Sequence, residues 1–194
     1  MIKIDDETVE KVNEIIYLGS VFTADRKYDR DVKRRVNAGN SVNISGETIS
    51  SIDQGLCVLI GISNTDTIKD MEYIVRKILN VRLFDNAEGK RWCSSVKEKQ
   101  YEVLCVSQFT LYNTLKGNKP DFHNAMPGDK SKQFYEEFLQ MLKKAYTADK
   151  IKDGVFGAYM QVSIQNDGPV TIEIESPTSS KNCNLTEAKE GDIS

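Results

Sequence analysis

Histidine, tryptophan and proline are scarce in this chain, with one His, one Trp and four Pro among 194 residues. The single imidazole, His123, confines any Ser/His/Asp or Cys/His arrangement to one place. The four cysteines, Cys57, Cys93, Cys105 and Cys183, form no CxxC pair and offer no zinc-ligand spacing with that histidine. The expectation is a chain with no metal or organic cofactor and with reduced thiols, hence cytoplasmic. No apolar run approaches the roughly 20 residues of a membrane-crossing helix. The start, MIKIDDETVEK, lacks the apolar stretch of a secretory signal. Neither a Gly-x-Ser-x-Gly elbow, a phosphate loop nor a Gly-x-Gly-x-x-Gly turn is present. Positive charge is not in excess either: 26 Lys and Arg face 29 Asp and Glu, a net −3. Coating long nucleic acid by charge alone is thereby excluded, though a local basic patch is not.

The periodicities that are present define two regions. In residues 7–18, Val9, Val12, Ile15 and Ile16 recur at helical spacing until Gly19 interrupts. A cluster from Arg26 to Arg35 holds six basic and two acidic residues, either a basic patch or a solvated face. From Ser41 onward the chain reads as short strands and turns. Val42 and Ile44 alternate with polar residues, Ser45-Gly46 signals a turn, and Thr48-Ile49 begins the return. Leu56 to Ile62 is apolar on both faces, the pattern of a buried central strand, and Val103 to Thr110 begins as a second. Between them, Thr67 can cap a helix over 67–79 carrying Ile68, Met71, Val75, Ile78 and Leu79 on one face. Val81 to Phe84 reads as a short strand and Asn86 to Gly89 as a turn. A loop is expected from Lys116 to Gly128, then a helix over 130–146 with Phe134, Phe138, Met141, Leu142 and Ala145 inward. Strands Tyr159–Gln165 and Val170–Glu175 close the domain around Asn166-Asp167-Gly168-Pro169, and a polar, disordered tail is expected after Pro177. The sum is a layered α/β domain.

Catalytic candidates are few. His123 has Asp121 two residues away, so it reads either as a general base or as a loop histidine bonded to backbone. Cys105 has no basic neighbour to make it a thiolate. In Ser107-Gln108-Phe109-Thr110-Leu111 an apolar strand ends in hydrogen-bonding side chains around one aromatic ring, a place for a ligand or merely a polar exit. Gly168-Pro169 is either a rigid backbone wedge, able to take a cis bond, or plain turn punctuation.

At these two motifs the chain resembles the D-aminoacyl-tRNA deacylases (the D-tyrosyl-tRNA deacylase family) from about Ser41 to Ser176. The likeness is carried by GETISSI at 46–52, SQFTL at 107–111, GNKPDFH at 117–123, FGAYM at 156–160 and NDGPVT at 166–171. It implies a homodimer of layered α/β domains, with mostly antiparallel or mixed sheets under two main helices. The implied activity is hydrolysis of the ester between a D-amino acid and the terminal adenosine of tRNA, with glycyl-tRNA as a second substrate. Phe109 and Thr110 are the implied catalytic positions, their backbone N–H groups meeting the oxyanion. Ser107, Gln108, Ala125, Phe156 and Met160 line the substrate pocket. Gly168 and Pro169 form a cis wedge that enters the partner subunit's pocket and rejects L-residues. Only the acceptor end of tRNA is expected to touch the protein, with Lys116, Lys119, Lys130 and Lys132 as phosphate partners. The water is activated by either Thr110 or the RNA 2′-hydroxyl; no base for Thr110 is evident, which favours the RNA.

The first 40 residues depart from this pattern. Family members begin with a short strand that ends in Arg-Val, whereas here 17–40 resembles part of a retrotransposon reverse transcriptase without its catalytic motifs. Val32 to Val36 is the candidate replacement strand. Residues 1–40 are thus expected to be an atypical extension, 41–176 the deacylase domain and 177–194 the tail. The competing expectation is a fusion without catalysis that binds nucleic acid through Arg26 to Arg35; a small-molecule ester hydrolase would need His123 and an elbow.

Overall fold

Two parallel strands, β4 (Gly55–Ile60) and β7 (Glu102–Ser107), form the centre of the domain, paired without a break from Gly55↔Glu102 to Ile60↔Ser107. The computed structural model describes Leu18–Ser20 and residues 40–177. Strands buried on both faces need unbroken apolar runs, and these two have them. Leu56, Val58, Ile60, Val103 and Cys105 point to one face and pack against helices. Cys57, Leu104 and Val106 point to the other and pack against Val42 and Ile52. The result is three layers: helices, a mixed sheet, and a second small sheet.

The helical layer is α1 (Ile68–Asn80) and α3 (Gly128–Ala145). Helix α1 buries Met71, Val75, Ile78 and Leu79 as its spacing predicts, while Ile68 stays 47% exposed in its first turn. The Asp70 carboxylate accepts hydrogen bonds from Thr67 N at 2.8 Å and Thr67 Oγ1 at 2.7 Å, fixing the start of the helix. The Thr67 hydroxyl is the main reason the Asp70 carboxyl lies below its ordinary pKa. Thr67→Ala is expected to cost about 1 kcal/mol at neutral pH, measured by urea unfolding. Because the folded pKa is depressed, this stabilisation holds above the unfolded carboxyl value and disappears as pH falls through the folded one. Helix α3 buries Tyr135, Phe138, Leu139 and Leu142. Its inward stripe is therefore turned slightly from the predicted one, leaving Phe134 and Met141 half-buried at the margin.

The mixed sheet continues on both sides of the central pair. On one flank, β10 (Ile151–Asp153) runs parallel to β7. On the other, β1 (Leu18–Ser20) lies antiparallel between β4 and β12 (Val170–Thr171). Leu18 thus belongs to a strand rather than closing a helix. The rest of the predicted helix at 7–18, the Arg26–Arg35 cluster, the Val32–Val36 strand and the tail after Pro177 lie outside the described residues, apart from Leu18. The outer sheet is β2 (Asn40–Ile44) between β3 (Glu47–Ile52) and β11 (Gln161–Ser163), all antiparallel. Ser45 and Gly46 turn the β2–β3 hairpin with φ of 51° and 85°.

Several short elements go beyond the sequence reading. The predicted strand over 81–84 is β5 (Arg82–Phe84), which pairs with β6 (Ser94–Ser95), and a one-turn helix α2 (Val96–Lys99) follows. Within the stretch 116–128 read as loop, β8 (Thr114–Lys116) and β9 (Lys119–Asp121) make a hairpin. The closing strands are shorter than predicted, three and two residues long.

Candidate functional site

Strand β7 stops at Ser107, and a 3-10 turn over Phe109–Tyr112 follows instead of the strand predicted through Thr110. The switch has a local cause. Gln108 N donates to Ile60 O at 2.8 Å, the last bond of the ladder, and Leu111 N then folds back onto Gln108 O at 3.3 Å. The first amides of such a turn have no partner within it, so the Phe109 and Thr110 N–H groups begin a short array of donors. Gln108 Nε2 donates to Thr110 Oγ1 at 2.5 Å, and Asn113 Nδ2 donates to Thr110 O at 2.9 Å. Among the described residues, no carboxylate or imidazole bonds to the Thr110 hydroxyl.

Phe109 is 58% exposed and meets Phe122 edge-on, with ring centroids 5.0 Å apart. Phe122 follows the β8–β9 hairpin, and Ala125 N donates to Phe122 O at 3.0 Å. Ala125 also bridges Ser63, just past β4. Ser107, Gln108, Phe109, Thr110 and Ala125 therefore gather where β4 and β7 end. Phe156 and Met160 come to the same edge because β10 is parallel to β7, with Gly154 N donating to Cys105 O at 3.2 Å. Phe156 lies against Tyr135 at 5.7 Å, and Met160 packs on the Val42 cluster. Both are half-buried supports more than open walls.

Asp121 accepts from Lys116 Nζ and from His123 Nδ1, and also from His123 N at 3.0 Å. These bonds, the one from Lys116 first, hold the Asp121 carboxyl well below the usual carboxylate range. His123 is thus an exposed residue just past the hairpin, tied to a carboxylate, with its carbonyl accepting from Asn64 Nδ2 at 3.2 Å. Lys119, Lys130 and Lys132 are exposed. Burial pushes the Cys57 thiol up to about 12 and raises Cys105 further, so neither forms a thiolate.

Gly168 and Pro169 are not brought to Phe109. Strand β12 begins at Val170, level through Ser20 with Leu56, and so the Gly168-Pro169 turn sits where β4 starts, at the opposite edge of the sheet. Asn166 closes that turn, its Oδ1 accepting from Val170 N at 3.1 Å and its Nδ2 donating to Thr171 Oγ1 at 3.0 Å. No described peptide bond is cis, which corrects the expected cis Gly168–Pro169 bond. Trans is the intrinsic preference of an X–Pro bond, by about 0.5–1 kcal/mol. Gly168 itself has φ of +118°, a conformation that glycine alone adopts without strain.

Sequence reasoning missed the backing of the turn. A cavity of about 520 Å³ lies behind it, between α1 and residues 171–176. None of the predicted site residues lines it; Leu111, Tyr112 and Gly61 do. Gly61, directly after the apolar run of β4, was the available signal, since its missing side chain is what lets Leu111 and Tyr112 approach.

The profile of the family described as D-Tyr-tRNA(Tyr) deacylase matches residues 32–175. D-aminoacyl-tRNA deacylase 1 of Bos taurus is 64% identical over 137 residues, which are 71% of this chain and 66% of that one. The chain thus spans just under two-thirds of the mammalian relatives' length. D-aminoacyl-tRNA deacylase of Drosophila melanogaster is 60% identical over 148 residues, 76% of this chain and 92% of that one. A solved structure described as c-Myc DNA Unwinding Element Binding Protein is 62% identical, with a TM-score of 0.70 over 71% of this chain and 93% of that one. A probable eukaryotic D-amino acid tRNA deacylase, at 16% identity and a TM-score of 0.54 over 66% and 89%, shares the fold. The reverse-transcriptase resemblance of 17–40 gains no support from these matches, and the described residues within it are Leu18–Ser20 and Asn40.

Proposed function

Since the chain belongs to the D-Tyr-tRNA(Tyr) deacylase family, we propose that it hydrolyses the ester linking a D-amino acid to the terminal adenosine of tRNA. The observation that carries this reading is the 3-10 turn at Phe109–Tyr112, which opens with two N–H donors beside the exposed Phe109 ring and its half-buried neighbour Phe122. In the reaction, water adds to the ester carbonyl and the oxygen becomes an anion. Amides of Phe109 and Thr110 donate to that anion, the kind of preorganised stabilisation that acyl transfer requires. Phe109 and Phe122 offer the adenine an apolar wall. The tetrahedral intermediate then expels the ribose oxygen, which takes up a proton, leaving free amino acid and tRNA.

An aminoacyl ester is already activated, so orientation can replace a strong protein base. The neighbouring 2′-hydroxyl of the RNA is assigned the proton transfer, because Gln108 is the side chain that bonds Thr110. Thr110→Val is accordingly expected to keep deacylation within about tenfold of wild type. Loss of a side-chain general base would remove roughly 10²–10⁴-fold. Single-turnover hydrolysis of D-tyrosyl-tRNA reads the difference.

The finer part of the reading is chirality. The Gly168-Pro169 turn and the Phe109 turn lie at opposite edges of one chain, so a site using both takes them from two copies. Main chain from the second copy then excludes the L side chain by shape. Glycine, with nothing to exclude, is accepted as glycyl-tRNA. Rates on D-, L- and glycyl-tRNA test this, and comparable D and L rates would end it. A second reading, nucleic-acid binding without turnover, draws on the name of the 62% identical solved structure; RNA retention with no hydrolysis of any of the three esters would favour it.

A further inference from the structure

The edge at which β4 and β7 begin carries a feature that ester hydrolysis does not use. The β5–β6 hairpin projects there, because β6 runs into α2 and α2 leads directly to Glu102 at the start of β7. Its connection is ordered by its own hydrogen bonds. Asn86 Oδ1 accepts from Glu88 N at 3.1 Å and Lys90 N at 2.8 Å. Asn86 N donates to Lys90 O at 3.0 Å, and Cys93 N donates at 3.0 Å to the carbonyl of Phe84, whose ring is buried in the core.

On this frame stands Trp92, 52% exposed and held at φ of 60°. A left-handed backbone is a strained choice for a bulky aromatic residue, and such strain collects at functional positions. Exposed Lys90 and Arg91 precede it directly. Around it, residues 82–99 hold the cations Arg82, Lys90, Arg91, Lys97 and Lys99 against Asp85, Glu88 and Glu98, a net positive segment in a chain of −3. Glu98 is further engaged in accepting from Ser95 N at 2.6 Å.

An exposed aromatic ring with cations beside it in the chain is how proteins grip a single nucleic-acid strand: the ring stacks on a base and the cations follow the phosphates. We propose that the 82–99 hairpin is a second nucleic-acid site, with Trp92 as the stacking platform and Lys90 and Arg91 on the flanking phosphates. The proposal rests on the deacylase reading for tRNA as the source of that strand. It also extends that reading, since the hairpin shares its sheet edge with the Gly168-Pro169 turn, the side from which a two-copy site would be approached. Contact with tRNA then reaches beyond the acceptor end.

Trp92 is the single tryptophan, so its fluorescence reports on this side chain alone. Titrating the full chain with deacylated tRNA and with oligouridylate is expected to give saturable quenching. Stronger binding of tRNA identifies it as the source, and stronger binding of the oligomer identifies free single strands. Lys90→Glu with Arg91→Glu is expected to weaken binding at least tenfold and to flatten the log–log salt dependence by about 1.4, two contacts at about 0.7 each. Hydrolysis of D-tyrosyl-adenosine, too short to reach the hairpin, is expected to stay unchanged in that variant. Trp92→Gly relieves the left-handed backbone, so it is expected to melt no lower than wild type while losing about tenfold in RNA affinity by anisotropy. No quenching by either RNA, or affinity untouched by both variants, overturns the proposal. Failure of the deacylase reading registers separately, as no hydrolysis of D-tyrosyl-adenosine by the wild-type chain.

Discussion

Gly61→Val is expected to lower kcat/KM for D-aminoacyl-tRNA by roughly 10²-fold while the domain remains folded. A Cβ at this position would lie 2.9 Å from Leu111 Cβ and 3.1 Å from the Tyr112 ring. Two further methyl carbons have no room unless the 3-10 turn moves by about 1 Å, a misplacement that costs on that order in rate. Both contacts fall on the second half of the turn, which Phe109 and Thr110 open. Over-packing of this kind removes about 1–3 kcal/mol of stability, less than a domain ordinarily holds. Thermal melting alongside single-turnover hydrolysis separates the two effects. A variant that melts normally and hydrolyses within twofold of wild type would show that the turn does not position the ester.

Gly55→Ala is expected to produce the largest loss of stability from a single methyl group. Its Cβ would stand 1.9 Å from Glu102 O and 2.7 Å from Glu102 C, both main-chain atoms that cannot swing aside. Gly55 and Glu102 form the first rung of the central parallel pair. Glu102 N also donates to Gln54 O at 3.1 Å, and Asp53 N donates to Glu102 Oε2 at 3.0 Å. Opening that rung is expected to cost about 3 kcal/mol, seen as a melting temperature lower by roughly 6–12 °C. Gly128→Ala is the control: nothing stands within 4 Å of its added Cβ, and a helical glycine replaced by alanine gains stability.

What the sequence made legible follows from how strongly each residue pattern restricts the backbone. Leu56 to Ile62 and the run from Val103 are apolar on both faces and of strand length, which fits a buried central strand. Thr67 ahead of Met71, Val75 and Ile78 restricts α1 equally well. The turn at Phe109–Tyr112 was hidden, because Phe, Thr and Tyr all favour strands and the departure depends on Ile60 O capturing Gln108 N. The β8–β9 hairpin was hidden by Pro120, which signals a loop unless it occupies an edge strand. Site residues close in sequence, Ser107 to Thr110, were readable as a group. Phe156 and Met160 reach the same edge only through β10, three residues long and too short for periodicity to reveal. The Gly168–Pro169 pair leaves its isomer open, because cis and trans X–Pro differ by only about 0.5–1 kcal/mol.

The parallel pairing of β4 with β7 separates the two ends of the sheet by the full length of those strands. For a catalyst assembled from two copies, speed and handedness would then reside on different surfaces and answer to different substitutions. Changes near Phe109 would alter how fast either enantiomer is cleaved without altering the preference between them. Changes near Gly168 would do the reverse, so stereochemical stringency could drift in evolution while turnover is conserved.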